Sequence, residues 1–349
     1  MEILVTGANG LLGRHLVAAL QERGERVRAL VLPTEGATWL QQRGVAVHVG
    51  DIRFPETLRE PLRGVQGAFH LAALMGVWRP LADYRAVNVA GTENVCRAAL
   101  AAGVSRLVHV SSAMVYRLWV GQPVGEVATL RPLREPYAMS KAEGDTVVQR
   151  MIVRDRLPAI IVRPGTMLGP GDRLNFERVA DRLRAGRAIV IGSGRNALPL
   201  VYVTDVVQGL LRAFDRDGAL GQAYNIGNDQ FLTQEGLLRA IAEEIGARPP
   251  SLHVPYHALY ALAFSAERLA RLSGYRHQPV VTRHGVALYG GDNRLAIEKA
   301  RRELGYAPEV SLRAGVRLAA AWYLRRAERP SALPAVAASP SERERGSEG

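Results

Sequence analysis

The sequence predicts an α/β fold, a doubly wound parallel sheet with a smaller, interleaved C-terminal lobe. Three observations predict it. Short apolar runs alternate with amphipathic stretches through the first half of the chain, the connections between them are short, and the chain opens on a strand, a glycine-rich turn and a helix. Alternating strands and helices with short links argue for a parallel sheet covered on both faces. Ligands of such sheets bind at the carboxyl ends of the strands, so residues there are the first candidates for function.

The opening stretch is Ile3-Leu4-Val5-Thr6-Gly7-Ala8-Asn9-Gly10-Leu11-Leu12-Gly13-Arg14-His15-Leu16. An apolar run reads as a buried strand, and the residues after the turn carry helical spacing. Gly7 suits a tight turn, Gly10 a close approach of backbone to a pyrophosphate, and Gly13 close packing of helix on strand. The helix start then offers free N–H groups and a partial positive charge to phosphates. The spacing is Gly-x-x-Gly-x-x-Gly, and its force comes from the motifs placed after it in the chain.

Composition narrows the classes. The chain has 349 residues and a formal charge of +12, yet lysine occurs only at Lys141 and Lys299. The remaining cations are arginines scattered over helical segments, as at Arg178, Arg182, Arg184 and Arg187. They form no block interleaved with aromatics, which argues against a nucleic-acid partner and leaves peripheral contact with an anionic membrane surface open. No run of about 18 apolar residues suggests a membrane span, and no leader precedes the first strand. Cys96 is the sole cysteine, so there is no intramolecular disulfide and no cysteine metal cluster. No metal is expected, and a reducing cytoplasm is the expected compartment.

The second strand is Arg26–Leu32. An acidic residue at its end would bind the adenosine ribose hydroxyls. Leu32, Pro33 and Thr34 stand there instead, and Arg14 or Arg28 could read a 2′-phosphate, so NAD and NADP both remain open. The third strand, Val45–Val49, leads to Asp51, placed for the adenine edge or for a strand-end turn. The fourth, Ala68–Ala73, ends in small residues that let a cofactor pass, and His70 within it reads as a satisfied strand histidine rather than a base. Tyr84–Ala102 reads as one long amphipathic helix. Arg106–Ser112 is the fifth strand and ends in two serines.

Glu135-Pro136-Tyr137-Ala138-Met139-Ser140-Lys141 reads as a helix start with proline in the first turn. Tyr137 and Lys141 are i and i+4, on one helix face. A free tyrosine has a pKa near 10, and an ammonium one turn away favours the phenolate. Tyr137 is then the general acid/base, Lys141 its pKa-lowering and ribose-binding partner, and Ser112 the donor to the substrate oxygen. The product is carbonyl–alcohol interconversion, with the cofactor carrying the hydride.

Together, Thr6-Gly7-x-x-Gly10-x-x-Gly13, Asp51-Ile52, Asn88-Val89-x-Gly91-Thr92, Val110-Ser111-Ser112-x-x-Val115-Tyr116 and Tyr137-x-x-x-Lys141 resemble the extended short-chain dehydrogenase/reductase superfamily, which includes NAD-dependent epimerases and dehydratases. The resemblance runs to about Tyr323. It implies a Rossmann-type fold, NAD or NADP as cofactor, and Ser112, Tyr137 and Lys141 as the catalytic set. The cofactor contacts it implies are Gly7, Asn9, Gly10, Leu11, Leu12, Gly13, Asp51, Ile52, Leu71, Ala72, Ala73, Asn88, Val110, Tyr137, Lys141 and Pro164. Arg117 stands where the family usually has glycine.

The second half is interleaved with the first. Residues 1–165, with 199–228 returning to them, read as the NAD(P)-binding domain. Residues 166–198 and 229–325 read as the substrate lobe, and 326–349, rich in Pro, Ala, Ser, Arg and Glu, as a disordered tail. Thr233 reads as a helix cap. Relatives acting on nucleotide sugars usually carry an arginine where this chain has Leu198, and another before the late Gly-Asp; Arg195 or Arg283 could substitute. The apolar helical segment Val254–Gly274, together with the stretches 278–282 and 300–308, resembles the 3β-hydroxysteroid dehydrogenase branch. That segment reads as a lid for an apolar, steroid-like substrate, as core packing, or as an interface. Two other functions stay in view, a nucleotide-sugar epimerase or dehydratase with retained NAD, and a non-catalytic NAD(P)-sensing protein. The resemblance implies a homodimer, formed through the helices after Tyr84 and Tyr137.

Overall fold

A computed structural model describes residues 1–116 and 121–327. Seven strands form the central sheet: β1 (Glu2–Thr6), β2 (Arg26–Val31), β3 (Ala46–Val49), β4 (Gly67–His70), β5 (Arg106–Val110), β6 (Ala159–Pro164) and β10 (Ala223–Ile226). Their spatial order is β10-β6-β5-β4-β1-β2-β3, with every pairing parallel. The order reverses between β1 and β4, which opens a crevice at the carboxyl edge, the usual ligand site of such sheets. Two small parallel pairs lie outside it: β7 (Thr166–Leu168) with β9 (Leu200–Tyr202), and β8 (Val190–Ile191) with β11 (His253–Val254).

In the first half the helices are α1 (Leu11–Glu22), α2 (Thr38–Gln42), α3 (Arg59–Leu62), α4 (Leu81–Arg85), α5 (Thr92–Ala101) and α6 (Pro136–Asp155). In the second they are α7 (Phe176–Arg184), α8 (Val203–Asp215), α9 (Gln234–Glu244), α10 (Tyr256–Leu272), α11 (Arg283–Gly290), α12 (Glu298–Leu304) and α13 (Leu312–Ala327). Strand alternation explains the layers. Ile3 and Val5 of β1 point to one face, where Leu16, Val17 and Leu20 of α1 and Val206 and Leu210 of α8 meet them. Leu4 points to the other, with Val95 and Ala99 of α5 and Val147, Val148 and Met151 of α6. Sheets buried on both faces produce such near-continuous apolar strands.

Three expectations change in detail. The long helix read from Tyr84 begins at Leu81 and is interrupted by a π-helical turn at Ala86–Gly91. Such turns often mark functional sites, and this one carries Asn88. Residues 326 and 327, expected in the tail, belong to α13, which runs to Ala327; the rest of the expected tail, 328–349, and Arg117 lie outside the described residues. Finally, α10 forms where the apolar pattern predicts a helix, but it packs Leu259 and Ala263 on Val286 of α11 and Ile191 of β8. Among the described residues no helix is long and apolar enough to cross a membrane.

Candidate active site

A cleft of about 1440 Å³ runs along the carboxyl edge of the sheet. Pockets for single small ligands typically span roughly 300–1,000 Å³, so this one has room for a dinucleotide and a second molecule. Gly7, Asn9, Gly10, Leu11, Leu12, Gly13, Asp51, Ile52, Leu71, Ala72, Ala73, Val110, Ser112, Tyr137, Lys141 and Pro164 all line it. Of the sequence-predicted residues only Asn88 does not.

The glycine turn is backbone packed on backbone. Gly7 has φ +71°, and a Cβ there would sit 2.8 Å from the Ala72 nitrogen. A Cβ on Gly13 would lie 2.2 Å from the Gly7 carbonyl oxygen, so any side chain would push α1 off the turn. Gly10 is the N-cap of α1 and has no side chain to bind the first helical N–H groups, which leaves those donors facing the cleft. Asn9 Oδ1 is buried without a hydrogen-bond partner. An uncapped helix start, an orphan acceptor and a wall with no Cβ fit a dinucleotide.

Ser112 and Tyr137 meet at the other end. Ser112 follows β5, and its Oγ accepts from Met114 N at 3.2 Å. Pro136 opens α6 and Glu135 caps it, accepting from Tyr137 N at 3.0 Å and from Ala138 N at 2.5 Å. Burial raises the Tyr137 phenol above its ordinary pKa; a hydrogen bond with Ser112 pulls against that, and Glu135 adds to it. The expected lowering by Lys141 is not what sets this phenol. The Lys141 ammonium is buried and donates to the Val110 carbonyl at 2.8 Å. Burial lowers its own pKa to about 8, against the pull of Asp145.

Behind these side chains lies a polar frame that the motifs did not announce. Asp145, one turn beyond Lys141, accepts two bonds from Arg163 of β6, each 2.8 Å. Burial works against the Asp145 charge, but Arg163 holds its pKa below the usual carboxylate value. The same guanidinium donates to Tyr116 at 2.8 Å, and Tyr116 donates to Asn225 of β10 at 2.8 Å. Asn88 works from the π-helical turn. Its side chain accepts from Leu74 N at 2.7 Å and donates to Leu74 O at 3.0 Å and Ser140 Oγ at 2.9 Å. It therefore braces the cleft wall and α6 instead of facing a ligand. Asp51 lines the cleft, but Arg53 engages its carboxylate and lowers its pKa. His70 is a satisfied strand histidine: Nδ1 bonds Thr6 Oγ1 at 2.8 Å, Nε2 bonds Thr92 Oγ1 at 3.1 Å, and burial lowers its pKa to about 3.

The wall beside Ser112 and Tyr137 comes from residues that sequence reasoning missed. His284 and Leu288 of α11, Met114, and Leu174 and Asn175 before α7 line it, and Trp322 of α13 lines the rim. The His284 ring meets Tyr137 edge-on at 6.0 Å, and its Nδ1 is 3.1 Å from Glu135 Oε1. Burial lowers the His284 pKa, but Glu135 outweighs it and the net shift is upward. The signal for Asp145 was its helical spacing from Lys141. For His284, 149 residues from its partner, there was none. No α10 residue lines the cleft, so the lid expected there is not built by that helix; Leu269 and Leu272 face solvent, 68% and 85% exposed.

Comparison with known proteins finds relatives along most of the chain. The profile of the NAD dependent epimerase/dehydratase family matches residues 3–227. The chain is 32% identical to a 2-alkyl-3-oxoalkanoate reductase of Stenotrophomonas maltophilia, over 91% of this chain and 98% of the relative. It is 30% identical to 3beta-hydroxysteroid-dehydrogenase/decarboxylase isoform 1 of Arabidopsis thaliana, over 90% of this chain and 77% of the relative. Among solved structures it resembles MoeE5 in complex with UDP-glucose and NAD, at 25% identity and TM-score 0.73, covering 94% of this chain and 100% of the other.

Proposed function

The chain belongs to the NAD-dependent epimerase/dehydratase family of extended short-chain dehydrogenases/reductases, and from that premise we propose that this NAD(P)-dependent oxidoreductase interconverts a ketone and a secondary alcohol on an apolar, steroid-like or long-chain substrate. We read 1–165 with 199–228 as the cofactor unit and 166–198 with 229–325 as the substrate lobe. The observation that carries the reading is the meeting of Ser112, Tyr137 and Lys141 at one end of a cleft whose other end is the glycine turn.

When bound, the nicotinamide supplies or accepts the hydride. The protein's own residues handle the proton. Ser112 and Tyr137 hold the substrate oxygen between their hydroxyls. In reduction Tyr137, kept protonated by its raised pKa, gives its proton to that oxygen as the carbon gains hydride. The Lys141 ammonium, fixed on Val110 O, stabilises the phenolate left behind.

An apolar substrate is favoured by what replaces the diphosphate arginines. Leu198 is packed in the core at 2% exposure. Arg283 is bound to Glu267 at 2.8 Å, and neither it nor Arg195 lines the cleft. Met114 and Leu288 supply apolar surface beside Tyr137. A nucleotide-sugar epimerase remains the second reading because of the likeness to MoeE5.

The test is a panel of hydroxysteroids, 3-oxoalkanoates and nucleotide sugars, assayed by nicotinamide absorbance. Turnover of an apolar ketone is expected, with Tyr137→Phe losing about 10²–10⁴ of it, the usual worth of a placed proton donor. Retained NAD and tight UDP-sugar binding would favour the second reading. An unaltered rate in Tyr137→Phe would remove the catalytic assignment. We further read the chain as a homodimer through α5 and α6, which sedimentation velocity tests directly.

A further inference from the structure

In nicotinamide-binding sheets a carboxylate at the end of β2 marks an unphosphorylated ribose, whereas a nearby arginine accommodates a 2′-phosphate. Here the end of β2 is Leu32, 38% exposed. Arg14 and Arg53 line the cleft, whereas Arg28 does not. Arg28 is spent on its surroundings: it pairs with Glu2 at 2.8 Å and donates to the carbonyls of Pro61 and Arg63. Arg53 is bound to Asp51.

Arg14 is different. It lines the cleft and has no carboxylate partner among the described residues. Its Nε donates to the Asn9 carbonyl at 3.1 Å, and its guanidinium lies 5.2 Å from the centre of the Trp39 ring. Asn9 in turn donates to Gly36 O at 3.0 Å, in the turn after β2. The cation is thus held between the glycine turn and the β2 loop, with its outer nitrogens left for an anion. Glu35 also lines the cleft, but it sits exposed on that turn with no bond holding its side chain among the described residues. Arg173 lines the same cleft, and burial, joined by repulsion from Arg326 and Arg14 and opposed by Glu177, lowers its pKa. Glu177 pairs with Arg326 at 3.3 Å and pulls on Arg173, which leaves Arg14 as a cation with no carboxylate partner among the described residues, open to an anionic guest.

We propose that Arg14 reads a 2′-phosphate on the adenosine ribose, so that this protein selects NADPH and NADP⁺ over NADH and NAD⁺. This deepens the proposed function and rests on its reading of the cleft as a dinucleotide site. A guanidinium fork with free N–H groups makes charge-assisted, bidentate bonds to phosphate that a ribose hydroxyl cannot match.

The experiment is calorimetric titration of the full chain with NADPH, NADH, 2′,5′-ADP and 5′-ADP, so that binding is read without turnover. NADPH should bind about 30-fold or more tighter than NADH, and 2′,5′-ADP should exceed 5′-ADP by a similar factor. Arg14→Ala should remove that preference while leaving NADH within about twofold, and Arg14→Lys should keep part of it, as a point charge without the fork. Arg14 is exposed, so the variants should fold, and unchanged thermal midpoints check this. NADH binding as tightly as NADPH overturns the inference alone. So does an Arg14→Ala variant that weakens both dinucleotides equally, or a Glu35→Gln variant that selectively loses NADH. If neither dinucleotide binds, the reading of the cleft fails with it.

Discussion

The two walls of the cleft are made of different material. On the β1–α1 side the wall is main chain, with Gly7, Gly10 and Gly13 offering no side chains. On the α11 side it is side chains, with His284 and Leu288 facing Met114 and Tyr137. A main-chain wall admits almost no variation, because each contact already sits at backbone distance. A side-chain wall can be re-lined without moving the fold. On the proposed reading, one side serves the cofactor and the other the substrate.

The sharpest way to break this contrast is Gly13→Ala. The new Cβ would fall 2.2 Å from a carbonyl oxygen that cannot move without the turn. The expected cost is about 3 kcal/mol or more of stability, the range of overpacking where nothing can yield. Dinucleotide affinity should fall with it. Denaturant titration and cofactor binding measure both, and a variant with unchanged stability would show that the turn is not rigid.

Second is the buried polar frame of Asp145, Arg163, Tyr116 and Asn225. Asp145→Ala leaves the Arg163 guanidinium buried without its carboxylate, 3% exposed at its side chain. Removing one partner of a buried pair costs roughly 3–5 kcal/mol. The linkage has a sign. The Asp145 pKa is lowered on folding, so its contribution is complete above the unfolded carboxylate pKa and is lost as pH falls through the folded value. Acid unfolding of the parent chain should therefore be steeper than that of Asp145→Ala, as circular dichroism against pH would report.

What was legible in the sequence divides along the same line. The sheet, the glycine turn and the Tyr137–Lys141 pair were readable, because strand alternation and helical spacing are local. Tyr137 and Lys141 lie one turn apart on α6 whatever the rest of the chain does. Asn88 was readable as a site residue but not as a brace, since its partners Leu74 and Ser140 come from two different segments. His284 and Trp322 were not readable at all. Their place in the cleft depends on how α11 and α13 return to the sheet, which no local period encodes. Of the readings open for α10, core packing is the one Leu259 and Ala263 take, and for a related reason the sequence did not choose it. The apolar residues of α10 occupy more than one side of the helix, and a pattern of that kind does not say which side packs.

Smaller in effect is a change confined to the side-chain wall. Leu288→Ala enlarges the pocket beside Met114 and Ala138. It should shift the ratio of kcat/KM between a bulky and a compact ketone by about tenfold, the usual worth of a few methylenes. Cofactor affinity should stay unchanged. Loss of dinucleotide binding in this variant would mean that the two walls are not separate after all.

The mildest test uses pH, and it separates chemistry from folding. With the folded Lys141 pKa near 8, the ammonium that stabilises the Tyr137 phenolate disappears above that value. Ketone reduction should hold to about pH 8 and then fall, approaching tenfold per unit if that ammonium is essential. Stability should move the other way. The pKa of Lys141 is depressed from 10.5 to about 8, so between those values the unfolded chain binds the extra proton and the lysine's contribution to stability rises with pH. A rate that falls while the thermal midpoint holds or climbs is the signature of Lys141 titrating in place. A rate and a midpoint that fall together between pH 8 and 9 would assign the loss to unfolding and take the lysine out of the chemistry.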